Sequence, residues 1–302
     1  MNTLLKARVE HALSSEGVSR FTRLRVRGKR LILAYHGILP DGTSAAGERA
    51  LFIEQRTFAD HLDMLREVAD VAALDRLDEE GDGRPRVAIT FDDAYSGAVR
   101  EGAHELAHRG LPGTIFAVPL RLDGRAFWWD ALSDGRATLD EGVRSHALNR
   151  LGGADERVRA WAQRLRLPSA DALPRFALPA TYAELKTALS LPGISVGSHS
   201  WAHANLTALD ERELEADLDR SRTWLRAEFG KKAVDWLAYP YGLESPTVQR
   251  VAAKVGYAGA LRIAGGWHRL TEVSRFARPR LNVPSGMSTA GLRARVIGAV
   301  LA

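Results

Sequence analysis

The sequence predicts an α/β chain whose parallel strands close into a (β/α) barrel of about seven strands. Three observations carry this expectation. Short apolar runs alternate with helical segments of 10–20 residues, the pattern of βαβ units in a parallel sheet. No glycine-rich dinucleotide fingerprint follows a strand, which favours a barrel over a doubly wound sheet. Several runs end abruptly in polar residues, and barrel chemistry collects at the C-terminal ends of strands.

The elements follow in order. Residues 1–29 read as a basic amphipathic extension. Over residues 1–30, Lys6, Arg8, Arg20, Arg23, Arg25, Arg27, Lys29 and Arg30 stand against Glu10 and Glu16, so the net charge of +5 is concentrated at the start. Leu5, Val9, Ala12 and Leu13 fall on one helical face. Such a helix packs on the domain with its basic side in water, or lies on an anionic membrane surface. No recognition motif accompanies it, so no nucleic-acid partner is expected. The stretch lacks the apolar run and cleavage site of a signal peptide. No segment reaches the roughly 18 apolar residues of a membrane span. The expected location is cytoplasmic, with peripheral contact at the inner face of the membrane as the alternative.

From residue 30 the chain reads as one domain. Apolar residues make up 45% of the sequence, enough for one large core or two modest ones. The first buried strand runs from Leu31 to Tyr35 and ends at His36 and Gly37, and residues 40–50 form a loop. A helix over 57–69 carries Phe58, Leu62, Leu65 and Val68 at helical spacing, with Thr57 as its N-cap. "VAITF" (87–91) is the second strand, 97–110 a helix stopped by Gly110, and 113–118 the third strand. Residues 121–190 read as an insertion, aromatic at "FWWDAL" and Arg-rich in its helices. Then come a strand at 194–200, a helix at 210–230 closed by Gly230, and a strand and turn at 233–242. A helix over 245–257 has Pro246 in its first turn. "YAGALRI" and "RPRLNVP" supply the last strands.

The second strand runs straight into two adjacent carboxylates, Asp92 and Asp93. A capping turn explains such a pair, and so does divided labour. One carboxylate binds a cation while its neighbour faces the water that the cation activates. "HSWAH" places His199 and His203 four residues apart, where one helical turn points both imidazoles the same way. Two histidines and an aspartate leave open positions on a metal, as catalytic sites require. Cysteine is absent, so thiolate metal sites, disulfides and cysteine nucleophiles are excluded.

"TFDD" followed by "HSWAH" resembles the signature of the polysaccharide deacetylases, the NodB-homology family of carbohydrate esterases. "LPGTIFAV", "LAYPYG", "VGYAGAL" and "RPRLNVP" resemble further family segments, and the similarity runs from about 30 to 285. The resemblance implies a distorted, incomplete (β/α) barrel and removal of an N-acetyl, sometimes O-acetyl, group from a sugar. It makes Asp92 the general base and Asp93, His199 and His203 the ligands of a divalent metal. Zinc is the expected metal, with cobalt, nickel and iron as alternatives. The backbone N–H of Tyr241 is the candidate donor to the developing oxyanion.

Three departures from the family pattern matter. Ala94 stands where glycine usually follows the aspartates, and alanine disfavours positive φ, so a negative φ is expected there. The arginine that usually opens the "YPYG" motif is replaced, and Arg280 is the candidate cation for keeping Asp92 ionised. The late histidine that serves as general acid is missing. His36, arriving on the first strand as in permuted members, is the candidate acid, and His268 is expected on the surface. His104 and His108 read as a solvated pair, while Trp128, Trp129 and Trp201 are either cleft wall or packing. The expected substrate is a glycan bearing amino sugars or a lipid-linked saccharide. The alternatives are a metal-free glycoside hydrolase using two carboxylates and a sugar-binding relative without catalysis.

Overall fold

A computed structural model describes residues 25–133, 138–170 and 172–300. The basic stretch at the N-terminus therefore lies outside the described residues as far as residue 24. The strands are β1 (Arg30–Tyr35), β2 (Gly37–Leu39), β3 (Phe52–Glu54), β4 (Asp70–Val71), β5 (Arg86–Phe91), β6 (Gly113–Ala117), β7 (Ile194–Ser198), β8 (Ala233–Ala238), β9 (Gly259–Ile263) and β10 (Arg278–Asn282). The order β1-β10-β9-β8-β7-β6-β5 returns to β1 through six consecutive residue pairs, so seven parallel strands close a ring. The two-residue β4 pairs with the outer edge of β5, and β2 pairs with β3 as a separate small sheet. The barrel is thus closed around its whole circumference, where an incomplete one was expected.

Alternation within the strands separates two cores. Leu31, Leu33 and Tyr35 of β1, with Val87, Ile89 and Phe91 of β5, pack outward against the helices. Ile32, Ala88, Phe116, Trp236 and Leu261 fill the interior. Register brings the C-terminal strand ends to one rim. Tyr35 is opposite Phe91, Phe91 opposite Ile115, Ala117 opposite Ser198, Ser198 opposite Leu237, and Ala238 opposite Leu261.

The helices are α1 (Gln55–Val68), α2 (Ala103–His108), α3 (Trp128–Leu132), α4 (Glu141–Arg150), α5 (Asp155–Arg164), α6 (Tyr182–Ser190), α7 (Glu211–Phe229), α8 (Pro246–Val255) and α9 (Thr289–Val296). α1 starts at Gln55 with Glu54 in the capping position, not at Thr57, because β3 runs directly into it. The segment expected as one helix over 97–110 opens with a wider π turn, Ala98–Gly102, before α2. α7 begins with a capping box between Asp210 and Glu213. α3, α4 and α5 belong to the insertion between β6 and β7. Their apolar faces join Phe52, Tyr95 and Phe176 in a second core built above the rim.

His268 is not on the surface. It is 3% exposed, and its backbone exchanges hydrogen bonds with Arg30 at the N-terminal end of β1. That position is at the opposite end of the barrel from the strand tips. His104 and His108 are exposed on α2. Among the described residues no helix is long and apolar enough to cross a membrane.

Gly97 follows the rim turn after β5, and a Cβ there would overlap the backbone carbonyl oxygen of Ile38. Backbone cannot step aside as a side chain can. Gly97→Ala is expected to cost about 2 kcal/mol and to lower the midpoint of thermal unfolding by several degrees. An unchanged midpoint by calorimetry would show that β2 yields without cost.

Candidate active site

Asp92 follows Ala88 and Thr90 on the inward-facing register of β5, so its carboxylate enters the barrel mouth from inside. There it meets Arg280, which β10 also points inward. Arg280 donates from one terminal nitrogen to Asp92 Oδ1 at 2.7 Å and from the other to Oδ2 at 2.6 Å. The pair is almost fully enclosed, with side chains 0% and 3% exposed. Burial alone pushes the Asp92 carboxyl up. The Arg280 guanidinium outweighs this and holds it well below the usual carboxylate range.

Asp93 would point to the opposite face if the strand continued. Instead the backbone turns left-handed, with φ of 66° at Asp93 and 50° at Ala94. The negative φ expected at Ala94 is therefore wrong. The site needs this turn to bring the second carboxylate back over the rim, and alanine carries the cost of roughly 1–2 kcal/mol. Asp93 Oδ1 then lies 3.1 Å from His203 Nε2 and 3.6 Å from His199 Nε2.

The two histidines do not share a helical turn. They sit on an irregular loop after β7, where Ser200 and His203 also have positive φ, 65° and 57°. This loop turns both rings toward Asp93. His199 Nδ1 is 2.7 Å from the carbonyl oxygen of Ala238, so the Nδ1–H donates there and the Nε2 lone pair faces Asp93. Burial pushes the His203 imidazole down to about 3 and also lowers His199. Both rings are therefore neutral near pH 7, the state in which imidazole binds metals.

Asp93 Oδ1 is buried without a hydrogen-bond partner, and burial raises its pKa. A bare buried carboxylate oxygen facing the Nε2 atoms of two neutral imidazoles is costly unless a cation stands among them. One ligand atom from each of Asp93, His199 and His203 lies within 4.8 Å of the others. The donor set and its orphaned oxygen fit a divalent metal with open positions.

A pocket of about 240 Å³ opens over these groups. His36, half-buried at the end of β1, lines it beside Asp92 and Asp93. Burial lowers the His36 pKa, and the two carboxylates oppose the shift. Tyr241 lines it with φ of 59°, its ring centroid 4.6 Å from that of His203. Its hydroxyl accepts from Trp128 Nε1 at 3.2 Å and donates to the Gly153 carbonyl at 3.4 Å. Gly153 has to be glycine for this, since a Cβ would stand 2.9 Å from the Tyr241 ring.

The polysaccharide deacetylase family model matches residues 79–260 of this chain, more than half its length. The chain belongs to the polysaccharide deacetylase family. No curated protein sequence matches it. Solved structures that resemble it include the Streptococcus pyogenes deacetylase PplD in complex with acetate, at 16% identity and a TM-score of 0.61, covering 88% of this chain and 97% of that one. IcaB from Ammonifex degensii matches at 18% identity with a TM-score of 0.63, covering 89% and 97%. A polysaccharide deacetylase from Bacillus cereus matches at 16% identity with a TM-score of 0.64, covering 89% and 69%. These likenesses concern the fold.

For this family member the structure settles the tryptophans that the sequence leaves open and adds Tyr95, Asp130 and Asp217, which the sequence does not mark. Trp128 and Trp129 divide their roles. Trp128 is core, while Trp129 also lines the pocket, 4.8 Å from the His203 ring. Trp129 Nε1 donates to the Tyr95 hydroxyl at 2.9 Å, which donates to Asp130 Oδ2 at 2.6 Å. Burial pushes Asp130 up to about 7. Trp201 packs under the Arg220 guanidinium, 3.9 Å from its ring centre, and lies outside the pocket lining. Beneath the histidine loop, Asp217 of α7 accepts the backbone N–H of Trp201 at 2.9 Å and that of Ala202. Ser200 Oγ accepts the N–H of His203 at 2.9 Å.

Asp217 thus fixes the backbone between the two histidines. Asp217→Ala is expected to weaken divalent-metal binding about tenfold, in the range of other outer-shell losses. Competition with a chromophoric chelator measures this. Unchanged affinity would mean that the loop keeps its shape without Asp217.

Proposed function

We propose that the protein is a metal-dependent hydrolase that removes an N-acetyl or other N-acyl group from an amino sugar of a polysaccharide or lipid-linked saccharide. The observation that carries this reading is the orphaned oxygen of Asp93 among two neutral imidazoles, next to a second carboxylate held ionised by Arg280. Membership of the deacetylase family supports deacylation of a saccharide.

Asp93, His199 and His203 would hold the metal, with zinc expected and cobalt, nickel or iron as alternatives. A divalent ion bound there supplies Lewis-acid polarisation of the acyl carbonyl and lowers the pKa of a nearby water. The remaining work belongs to side chains and backbone. Asp92 takes a proton from the attacking water as general base. Its pairing with Arg280 keeps it ionised beforehand and makes it a poor store for the proton afterwards, so the proton passes on to the neutral imidazole of His36 on the same pocket lining. The Tyr241 backbone N–H, at the left-handed turn after β8, donates to the oxyanion. His36, on the pocket wall, gives a proton to the departing amine. The basic residues near the N-terminus support peripheral contact with an anionic membrane surface.

Acetate release from N-acetylglucosamine oligomers, assayed with and without added zinc, tests the reading. Asp92→Asn is expected to keep metal and lose turnover by at least about a hundredfold, whereas His199→Ala loses both. Equal metal loss in the two variants would reverse their roles. Acetate release that survives complete metal removal would end the metal-dependent reading, whereas chain cleavage without acetate release would point to the metal-free glycoside hydrolase.

His36→Ala is expected to slow amide hydrolysis about a hundredfold and to spare 4-nitrophenyl acetate, whose leaving group needs no proton. Equal losses on both substrates would show that His36 is not the acid.

A further inference from the structure

We infer that Arg144 selects an anionic saccharide, its guanidinium binding a phosphate or carboxylate carried by the sugar whose amide is cleaved. This inference rests on the hydrolase reading above and narrows its substrate. Arg144 lies on α4, in the insertion, and lines the pocket together with residues from the barrel's strand ends.

The charges of the site explain why this residue stands out. Asp92 is matched by Arg280 inside the barrel. Asp93, His199 and His203 face one another. Arg144 is the permanent cation in the pocket lining. It is also held in place. One terminal nitrogen donates to Glu48 Oε2 at 3.0 Å, and that oxygen accepts the backbone N–H of Leu139 at 2.7 Å. The Glu48 N–H donates in turn to Asp130 Oδ1 at 2.9 Å. The anchor therefore belongs to the same network that orients Trp129.

Arg280 on Asp92 is 0% exposed and Arg121 on Asp155 is 4% exposed, while Arg159, also on Asp155, is 40% exposed but lies outside the pocket lining. Arg144 keeps 36% of its side chain open while its partner Glu48 is 2% exposed. Among the described residues its other terminal nitrogen has no hydrogen-bond partner. Its one further carboxylate neighbour, Glu141, is 4.0 Å away on the outer surface and 86% exposed. A planar donor fork pinned at one corner and open at the others matches an oxyanion. Trp129 on the same lining offers an apolar face for the sugar ring.

The test compares three sugars: neutral N-acetylglucosamine, N-acetylglucosamine 1-phosphate and N-acetylmuramic acid. The metal-loaded wild type is expected to favour one or both anionic sugars in kcat/KM by about tenfold, and Arg144→Gln to remove that ratio through KM. Preference for the phosphate alone or the carboxylate alone identifies which oxyanion the fork reads. Arg144→Lys keeps the charge opposite Glu48 but loses the fork. It is expected to lower the ratio as well, and it stands in should Arg144→Gln fail to fold. A wild type without preference, or variants that retain it, would overturn the inference. If no sugar releases acetate, the hydrolase reading fails on its own. Calorimetric binding of the same sugars to wild type and variants then decides for or against Arg144 by the same ratio.

Discussion

The site is organised around one buried ion pair. Arg280 and Asp92 meet inside a closed barrel, where neither can be solvated. Taking two charges from water costs several kcal/mol per ion, and only good geometry returns it. The two-point contact at 2.7 and 2.6 Å provides that geometry, and Thr90 adds a further acceptor for Arg280 at 3.2 Å. Both residues depend on strand register. Arg280 pairs with Ile263 on one neighbouring strand, while the strand of Asp92 pairs residue for residue with β1. A shift of one residue in β5 or β10 would turn either charge out of the interior. The pair therefore ties the chemistry at the rim to the closure of the barrel.

Backbone strain is concentrated where the pair leaves off. Apart from Arg166, the described non-glycine residues with positive φ are Asp93, Ala94, Ser200, His203 and Tyr241. All five lie at the mouth, two of them as ligand candidates. Such conformations cost of order 1–3 kcal/mol each and persist because hydrogen bonds and packing fix their surroundings. Asp217 and Ser200 fix the histidine loop, and the Trp128 and Gly153 contacts fix Tyr241. The strain has a specific result, since three of the left-handed residues, Asp93, His203 and Tyr241, line the pocket.

Much of the fold was legible because buried parallel strands are short, apolar and sharply bounded. The second strand was read as 87–91 and observed from Arg86 to Phe91, and the third as 113–118 and observed from Gly113 to Ala117. Asp92, His36 and His199 each interrupt an apolar run, so their position at a strand tip could be read directly. The three-residue β2 and β3 flank the 40–50 loop on either side and are too short to show a strand pattern in sequence. The conformations at Ala94 and through the histidine loop were misread, because intrinsic preference was trusted where tertiary contacts override it. Arg144, Glu48 and Asp217 had no local signature. They sit in polar helices and loops among many similar charges, and only the fold brings them to the mouth.

The barrel and the insertion divide the site between them. The barrel supplies Asp92, Asp93, His36 and Arg280 from its own strand ends. The insertion has a separate aromatic core, in which Phe127 stacks on Trp129 at 4.3 Å and Tyr95 bridges to Asp130. Tyr95 stands two residues beyond Asp93, so the turn that carries the candidate ligand also anchors that core. His203 touches the same core, its ring 5.5 Å from Phe127 and 4.8 Å from Trp129. Repacking the insertion would therefore disturb the ligand geometry, while exchanging Arg144 on its pocket side need not. Reaction and recognition are coupled through packing at Tyr95 and His203 and remain separable at Arg144.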